Sequence, residues 1–425
     1  MITLPELYEL YVSSQGQVFT DTRQVKTNAM FFALKGANFN GNTFALKAIE
    51  LGASYAIVDE PIQGHAHVIH VEDVLKTLQD LAHYHLKQLG LPVIAIGGSN
   101  GKTTTKELLV SILTQAKKVH FTPGNFNNHI GLPLTILQAN AAHELIVLEM
   151  GANKAGDMTE LCLIAEPNYG IITNIGKEHL EGFGGIEGVA ASEGELFDYL
   201  ASSNGHAFVN QDDEWVKKLA QSIHSQSPYA MNDGVLNLIH HVPNIAFDYQ
   251  SVRIESPLMG LHNFQNIRAC IEIAKTFDIT PLQIQAGVEA YSPQNNRSQW
   301  VKGQSNNTIL LDAYNANPSS VEMALRTFAA MPGSKWVLLG DMFELGNYEA
   351  TEHQAICDLA NSLSFDNIVL VGKAFAKVHL PNANVKKFET VDDAQSYIKE
   401  QNPNNQLVLI KGSRGMKMEL FKDLF

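Results

Sequence analysis

The sequence is short of cysteine, of basic residues and of long apolar runs, and each shortage excludes a class of protein. Its 425 residues include three cysteines, Cys162, Cys270 and Cys357, which are far apart and form no C-x-x-C pair. This arrangement argues against a disulfide framework and predicts buried thiols in a reducing compartment. No apolar run reaches the length of about 18 residues that crosses a membrane, so we expect no membrane insertion.

Basic residues are outnumbered by acidic ones. Lys and Arg total 30, Asp and Glu total 44, and the formal net charge at pH 7 is -14. Non-specific nucleic-acid binding needs a basic face, so we expect no nucleic-acid partner. The first residues also lack the basic region and apolar core of a signal peptide, and we therefore expect a cytoplasmic protein.

The sequence does contain a strand, loop and helix motif that is typical of phosphate binding. Val93–Ile96 is an apolar run suited to a buried parallel strand, Gly98–Thr103 has the pattern G-x-x-G-K-T, and a helical pattern follows. Such a loop presents backbone N–H groups to a phosphate, with Lys102 reaching the terminal phosphates and Thr103 holding Mg²⁺. A short glycine motif also occurs in ordinary turns, so its context matters.

A second apolar strand supplies that context. The run from Leu145 ends on Glu149, about 45 residues after the loop, where phosphate-loop proteins place a second magnesium carboxylate. The two features together predict a nucleotide site.

Apolar strands alternate with helical patterns along the chain, which predicts an α/β fold with parallel sheets. A length of 425 residues, with 45% hydrophobic and 17% charged residues, predicts about three globular domains. We assign a small N-terminal α/β domain to residues 1–90, a central P-loop ATPase domain with a parallel sheet to 91–296, and a C-terminal Rossmann-like domain to 297–425. Residues 233–257 give only weak strand signals.

Polar groups follow several of the predicted strands, where the ligands of parallel sheets bind. His179 ends one such segment and is interpreted either as a ligand or as a structural histidine. Asn263 and Asn266 lie three apart at a helix start, where they either cap the helix or hydrogen-bond an adenine edge. Arg23 follows a turn in the N-terminal domain and either clamps an anion or is an ordinary surface arginine. Strand ends of the last domain carry the segments 312–318, 340–346 and 411–414.

These motifs, taken together, resemble one family, the Mur ligases of peptidoglycan precursor synthesis. The resemblance extends over nearly the whole chain. Its most specific parts are the runs Asp312-Ala-Tyr-Asn-Ala-Asn-Pro318 and Gly340-Asp-Met-Phe-Glu-Leu-Gly346, and it also includes Asp21-Thr-Arg23, Gly98–Thr104, Asn125-Phe-Asn-Asn128, Glu149-Met-Gly151, Thr173–Gly176 and Lys411–Arg414.

The resemblance implies a reaction and its substrates. ATP would phosphorylate the terminal carboxylate of UDP-N-acetylmuramoyl-tripeptide, and the amine of D-alanyl-D-alanine would attack the acyl phosphate. The implied cofactors are ATP and Mg²⁺, and a monomer is expected. Closure of the last domain would exclude water, which otherwise hydrolyses an acyl phosphate.

The resemblance also assigns roles to residues. It implies catalytic roles for Lys102, Glu149, His179 and Glu193, and magnesium ligands among Thr103, Glu149, His179 and Glu193. Implied ATP contacts are Gly98, Ser99, Asn100, Gly101, Lys102, Thr103, Thr104, Asn263, Asn266, Arg297 and Asp312. Implied substrate contacts are Thr22, Arg23, Asn127, Asn128, Tyr314, Asn315, Asn317, Lys411, Ser413 and Arg414, with Arg23 on the uridine nucleotide.

One position departs from the family pattern. The family usually has a lysine at position 193, which is carbamylated so that its new carboxylate helps to hold magnesium, whereas this sequence has Glu193. We predict that the carboxylate of Glu193 replaces the carbamate, although its side chain is shorter by about 3 to 4 Å. The alternative is that Glu193 is a solvated glutamate on the helix surface, and that binding of the second metal ion is weakened or lost.

Two other functions remain open from the sequence. A folylpolyglutamate synthase-like ligase would share the nucleotide core, although the Tyr314–Pro318 run and the Asp21–Gly36 segment argue against it. A non-catalytic nucleotide-binding relative is the other alternative, and Glu193 is the reason to consider it.

Overall fold

The computed structural model describes residues 2–62, 64–294, 296–379 and 384–425, and it confirms the predicted α/β class. The N-terminal unit is a four-stranded parallel sheet in the order β1-β2-β5-β6, beside a short hairpin of β3 and β4. Its strands are β1 (Val18–Phe19), β2 (Met30–Phe32), β3 (Lys35–Gly36), β4 (Phe39–Asn40), β5 (Tyr55–Val58) and β6 (Val68–His70), and its helices are α1 (Leu4–Ser13), α2 (Ala45–Glu50) and α3 (Val74–Leu89).

Helix α3 joins this unit to the next. Asp73 caps its first turn, and Gly90 ends it in the left-handed conformation with φ 61°. On its buried face, His85 Nε2 lies 2.9 Å from the carbonyl oxygen of Ala139, and Gln79 donates to Glu160 at 2.7 Å. The helix therefore packs on the central unit as well as on its own sheet.

The central unit is a six-stranded sheet, parallel throughout, in the order β12-β11-β10-β7-β9-β8. Strand β7 is fully buried, as its uninterrupted apolar run predicts. Its strands are β7 (Val93–Gly97), β8 (Val119–Phe121), β9 (Leu145–Glu149), β10 (Tyr169–Ile172), β11 (His206–Asn210) and β12 (Ser225–Tyr229). Its helices are α4 (Lys102–Leu113), α5 (Gly131–Ile136), α6 (Asp157–Ala165), α7 (Leu180–Phe183), α8 (Ile186–Ser203), α9 (Glu214–Leu219), α10 (Leu261–Thr276) and α11 (Pro281–Ala290).

Residues 233–257, where the sequence signals were weak, contain an antiparallel three-stranded sheet. Its strands are β13 (Leu236–His240), β14 (Ile245–Tyr249) and β15 (Val252–Ser256). Phe247 and Ile254 point into the core shared with α10 and α11. The strands are short, and polar or exposed positions interrupt the apolar residues of each, which is why their pattern was weak.

The C-terminal unit is a second six-stranded sheet, in the order β16-β17-β21-β18-β19-β20. All described neighbours are parallel except β16, which pairs antiparallel with β17. The sequence prediction missed β16 and β20, because both are edge strands with polar, exposed positions. Its elements are β16 (Gln299–Lys302), β17 (Thr308–Asp312), α12 (Pro318–Ala329), β18 (Lys335–Gly340), α13 (Glu349–Ser362), β19 (Asn367–Val371), β20 (Val385–Phe388), α14 (Val391–Gln401) and β21 (Leu407–Lys411).

Short 3₁₀ turns connect some of these elements. They are Thr22–Gln24, Gly41–Phe44, Ala220–Ser222, Gly346–Tyr348, Phe375–Lys377, Arg414–Met416 and Met418–Leu424. No helix in the described parts of the chain is both long and apolar enough to cross a membrane.

Helices α4 and α11 approach each other at Gly287, which gives a test of the packing behind the phosphate loop. A Cβ atom at position 287 would lie 2.4 Å from Ile112 Cα and 2.7 Å from Ser111 O, both backbone atoms. We expect Gly287→Ala to lower the unfolding free energy by about 1–3 kcal/mol, because the helices must move apart. Ala286→Ser, which adds one atom at an exposed position of the same helix, is the control in thermal unfolding. Equal stability of both variants would contradict this packing.

Candidate active site

The loop after β7 has the geometry of a phosphate cradle. Gly98 has φ 110°, and a Cβ atom there would lie 2.3 Å from Thr173 Oγ1, so only glycine fits. Gly101, with φ 84°, precedes helix α4, whose first residue is Lys102. The first N–H groups of α4 and the positive end of its dipole therefore point toward the space in front of the loop.

Hydrogen bonds from the end of the neighbouring strand β10 hold the loop in place. Ser99 N donates to the carbonyl oxygen of Asn174 at 2.8 Å, and Asn100 N donates to the side-chain oxygen of Asn174 at 3.1 Å. In return, Thr173 Oγ1 donates to Asn100 O at 2.7 Å. The cradle is thus rigid before any ligand arrives.

Lys102 lies among buried carboxylates. Its Nζ donates to the carbonyl oxygen of Gly98 and lies 3.5 Å from Glu178 Oε2. Burial alone would lower the pKa of Lys102, but surrounding negative charges outweigh that effect and raise the pKa; they belong to Glu178, Glu193 and Glu149. Burial also raises the pKa of Glu178, to about 8, against the opposing charge of Lys102.

Glu149 ends β9 beside the loop, as predicted. Its Oε1 accepts a hydrogen bond from Asn127 Nδ2 at 2.8 Å, and its Oε2 lies 3.4 Å from Lys106 Nζ. Oε2 is buried and accepts no hydrogen bond among the described residues. An anionic oxygen with spare acceptor capacity at this position fits a divalent cation.

Glu193 is fully buried, so the alternative of a solvated helix glutamate is wrong. Its Oε2 accepts a hydrogen bond from the backbone N–H of Gly98 at 2.6 Å. Its Oε1 is buried without a hydrogen-bond partner, and burial raises the pKa of this carboxyl. Glu193 lies behind the loop, outside the residues that line the cavity in front of it. Its role as a direct magnesium ligand stays a prediction.

A cavity of about 430 Å³ lies between the central and C-terminal units, in front of the loop. Both units contribute its walls, as expected if the carboxyl ends of their strands share one edge. The predicted site residues that line it are Ser99, Asn100, Gly101, Lys102, Thr103, Thr104, Asn127, Asn128, Glu149, His179, Asn263, Asn266, Arg297, Asp312, Tyr314, Asn315, Asn317 and Lys411.

Asn263 and Asn266 share one face of the first turn of α10, as their spacing predicts. Asn263 does not cap the helix, because Gly260 occupies the cap position. Asn263 Nδ2 donates to the carbonyl oxygen of Met259 at 2.9 Å, and Asn266 Nδ2 donates to Asn263 Oδ1 at 3.2 Å. Both side chains reach the cavity wall, where their remaining polar atoms are available to a ligand.

The C-terminal wall carries its own charged group. Lys411 is almost fully buried, and its Nζ lies 2.6 Å from Asp312 Oδ2. Burial by itself would raise the pKa of Asp312, but the charge and hydrogen bond of Lys411 outweigh it and lower the pKa. The guanidinium carbon of Arg297 lies 3.7 Å from the centre of the Tyr314 ring, which fixes the direction of that ring.

The C-terminal unit touches the central unit through the rim of this cavity. Asn317 Nδ2 donates to Asn100 Oδ1 of the phosphate loop at 2.9 Å. Lys177 N donates to Ser319 Oγ at 2.9 Å. Other contacts across the rim join Lys177 Nζ to Glu352 Oε1 at 2.6 Å and His179 Nδ1 to Glu344 Oε2 at 2.5 Å. The arrangement is therefore closed over the loop.

Comparisons with known proteins identify this arrangement. Three family descriptions match in succession: "Mur ligase family, catalytic domain" over residues 17–94, "Mur ligase middle domain" over 96–274 and "Mur ligase, glutamate ligase domain" over 296–414. The chain belongs to the Mur ligase family. The resemblance inferred from the sequence motifs is thereby confirmed.

Individual relatives agree with this assignment. UDP-N-acetylmuramoyl-tripeptide–D-alanyl-D-alanine ligase of Bacillus subtilis (strain 168) is 34% identical over 429 residues, which cover 96% of this chain and 92% of that protein. The protein of the same name from Escherichia coli (strain K12) is 31% identical, with 95% and 92% covered. A crystal structure of MurF from Acinetobacter baumannii superposes with a TM-score of 0.88 at 30% identity, with 97% and 96% covered.

Some residues predicted for the site lie outside the cavity of this Mur ligase. Ser413 is buried within the C-terminal unit and accepts a hydrogen bond from Phe343 N at 2.9 Å. Thr22 and Arg23 are on the N-terminal unit, where Arg23 is exposed and paired with Asp21. The predicted residues that do not line the cavity are Gly98, Thr22, Arg23, Glu193, Ser413 and Arg414.

Two titratable residues that line the cavity were absent from the predicted set, Glu178 and His262. Glu178 lies between Lys177 and His179 in the segment after β10, and the position of that segment at a strand end was the available signal. His262 lines the cavity beside Asn263, and burial lowers its pKa to about 4, so it is neutral at pH 7. Its position just after Gly260 at a helix start gave no sign of this burial.

The Asp312–Lys411 pair gives a pH-dependent prediction for this Mur ligase. Asp312→Asn leaves Lys411 buried without its counter-charge, and we expect a loss of about 3 kcal/mol in unfolding free energy at pH 7. Because the folded-state pKa of Asp312 is lowered, the stability that the pair contributes is present above the unfolded-state pKa of about 3.9 and is lost as the pH falls through the folded-state value. Urea unfolding should therefore show the same difference between wild type and variant at pH 7 and pH 5, and this difference should narrow below about pH 4.

Exposed Asp198→Asn is the matched control and should match the wild type at each pH value. A difference between Asp312→Asn and wild type that narrows already between pH 7 and pH 5, or that does not narrow below pH 4, would contradict the assigned shift.

Proposed function

We propose that the chain is an ATP-dependent ligase that adds D-alanyl-D-alanine to UDP-N-acetylmuramoyl-tripeptide through an acyl phosphate. The observation that carries the proposal is the shared cavity in which the phosphate loop and Lys102 face Asp312, Tyr314 and Lys411 of the C-terminal unit. The names of the relatives that match over nearly the whole chain support the same substrates.

Charge explains why the reaction needs this site. A carboxylate is a poor electrophile, and it must meet the triphosphate, which is also an anion. Lys102 and the N–H groups at the start of α4 stabilise the transferred phosphoryl group, because they are fixed in place before the reaction. Asn263 and Asn266 offer hydrogen-bonding groups to the base of the nucleotide, and the stacked ring of Tyr314 limits how the reacting ends approach each other.

The residues at the loop fit a divalent cation. Thr103 and Glu149 would hold it, and His179 is the ligand predicted for a second ion. No three acidic, histidine or cysteine side chains among the described residues converge into a complete metal site, so phosphate oxygens would have to supply the remaining ligands. When bound, the ion neutralises phosphate charge and polarises the bond that breaks.

Closure protects the acyl phosphate from water. The contacts of Asn317 with Asn100 and of Ser319 with Lys177 N hold the C-terminal unit against the loop. A site closed in this way gives the amine of the second substrate an advantage over water as the nucleophile.

The remaining predicted roles form part of the same proposal. Thr22 and Arg23 would contact the uridine nucleotide. Asn127, Asn128 and Asn315, which line the cavity, would contact the substrates, and Ser413 and Arg414 are the further substrate contacts predicted on the C-terminal unit. We place the domain bounds at 1–90, 91–296 and 297–425. Both walls of the cavity come from one chain, which supports a monomer, and the three buried free thiols support a cytoplasmic location.

A phosphate-release assay tests the proposal. With ATP and Mg²⁺, we expect release to require both UDP-N-acetylmuramoyl-tripeptide and D-alanyl-D-alanine, and to fall at least 100-fold in Lys102→Ala, because one preorganised donor is worth about 10²–10³ in rate. A folate substrate in place of the tripeptide should give no release. Release with folate would favour the folylpolyglutamate synthase-like alternative, and no release with any acceptor would favour a non-catalytic relative.

A second prediction concerns Glu193. If its carboxylate replaces the carbamate, activity should not depend on added bicarbonate, and Glu193→Gln should reduce phosphate release at least tenfold, because a buried charge beside Lys102 is lost. Glu187→Gln, at an exposed position on the same helix, is the control. Thermal unfolding would separate this effect from misfolding. Full activity in Glu193→Ala would contradict the prediction that the carboxylate of Glu193 replaces the carbamate.

A further inference from the structure

Glu178 is a cavity-lining acid for which the proposed reaction has no role. It lies in a tight turn after β10, where neighbouring side chains point in opposite directions. Lys177 reaches outward to Glu352 of the C-terminal unit, whereas Glu178 lies at the cavity wall beside Lys102. The segment therefore directs the carboxylate of Glu178 toward the phosphate loop.

The carboxylate of Glu178 is incompletely paired. Its side chain is only 6% exposed, and its Oε2 lies 3.5 Å from Lys102 Nζ, which donates more closely to the carbonyl oxygen of Gly98. The other oxygen, Oε1, is buried and has no hydrogen-bond partner among the described residues. A buried carboxylate is costly unless several groups satisfy it, so this one has capacity for a further positive partner.

Two carboxylate oxygens that accept no hydrogen bond from the described residues thus belong to residues that line the same cavity as Thr103, namely Glu178 Oε1 and Glu149 Oε2, the latter 3.4 Å from Lys106 Nζ. Glu193 differs from both. It accepts the N–H of Gly98 from behind the loop and does not line the cavity. Glu178 and Glu193 therefore lie on opposite sides of the phosphate loop.

We propose that Glu178 is a ligand of the divalent cation that accompanies the nucleotide, while Glu193 supports the loop from behind through Gly98. The proposal rests on the proposed function, because nucleotide phosphates must complete the coordination. Oxygen ligands from one or two carboxylates and the phosphates are the usual set for Mg²⁺, and Mn²⁺ accepts the same set.

Manganese binding to the full-length protein tests the proposal without using activity. Free Mn²⁺ would be measured by electron paramagnetic resonance during titration in the presence of ADP. We expect Glu178→Gln to weaken Mn²⁺ binding at least tenfold, since loss even of an outer partner costs about 10- to 100-fold. Glu178→Asp, which keeps a carboxyl group that can bind the ion, should recover part of the affinity. Glu187→Gln should bind as the wild type does.

The outcomes separate this proposal from its alternatives. Wild-type affinity in Glu178→Gln would overturn it and leave Glu178 as a counter-ion of Lys102 only. Loss of Mn²⁺ binding in Glu193→Gln but not in Glu178→Gln would overturn it in favour of Glu193 as the ligand. If the wild type itself bound no Mn²⁺ in the presence of ADP, that result would contradict the proposed ATP-dependent function, and not only the assignment of Glu178 as a ligand. Thermal unfolding of each variant, together with the Glu178→Asp result, excludes misfolding as the cause.

Discussion

The structure depends on one concentration of buried charge, the lysine of the phosphate loop among three carboxylates. Lys102 is attracted to Glu178, Glu193 and Glu149, and together they more than offset the cost of burying its charge. Only Glu193 lies behind the loop, where it holds the N–H of Gly98. An excess of carboxylates over lysines in a poorly hydrated site favours cations, which suits a protein that must bind a triphosphate together with its metal ion.

The second constraint is the orientation of two parallel sheets. Strands β7 and β9 end at the phosphate loop and Glu149, and strands β17 and β21 end at Asp312 and Lys411. Because ligands of parallel sheets bind at the carboxyl ends of the strands, two such edges facing each other form a single cavity. The contacts of Asn317 and Ser319 with the central unit keep these edges together. This arrangement suits a reaction from which water must be excluded.

The fully buried strands were predictable, because an uninterrupted apolar run leaves few alternatives. Strand β9, for example, has the bounds that the apolar run predicts, Leu145–Glu149. The edge strands β16 and β20 and the small sheet β13–β15 were not predictable from hydrophobicity, since polar, partly exposed or exposed positions interrupt their short apolar runs. In the site, the loop, Glu149 and the two asparagines of α10 could be placed from their spacing, whereas Glu178 and His262 could not.

By itself, the sequence determined the family, the phosphate loop and the order of the three α/β units, because these depend on residues that are close together in the chain. It also showed that position 193 carries an acid. Only the tertiary structure decided what surrounds that acid: Glu193 is buried under Gly98, 95 residues earlier in the chain, and Glu178 rather than Glu193 lines the cavity. Burial and hydrogen-bond partners are set by packing between distant segments, and no local pattern of residues records them.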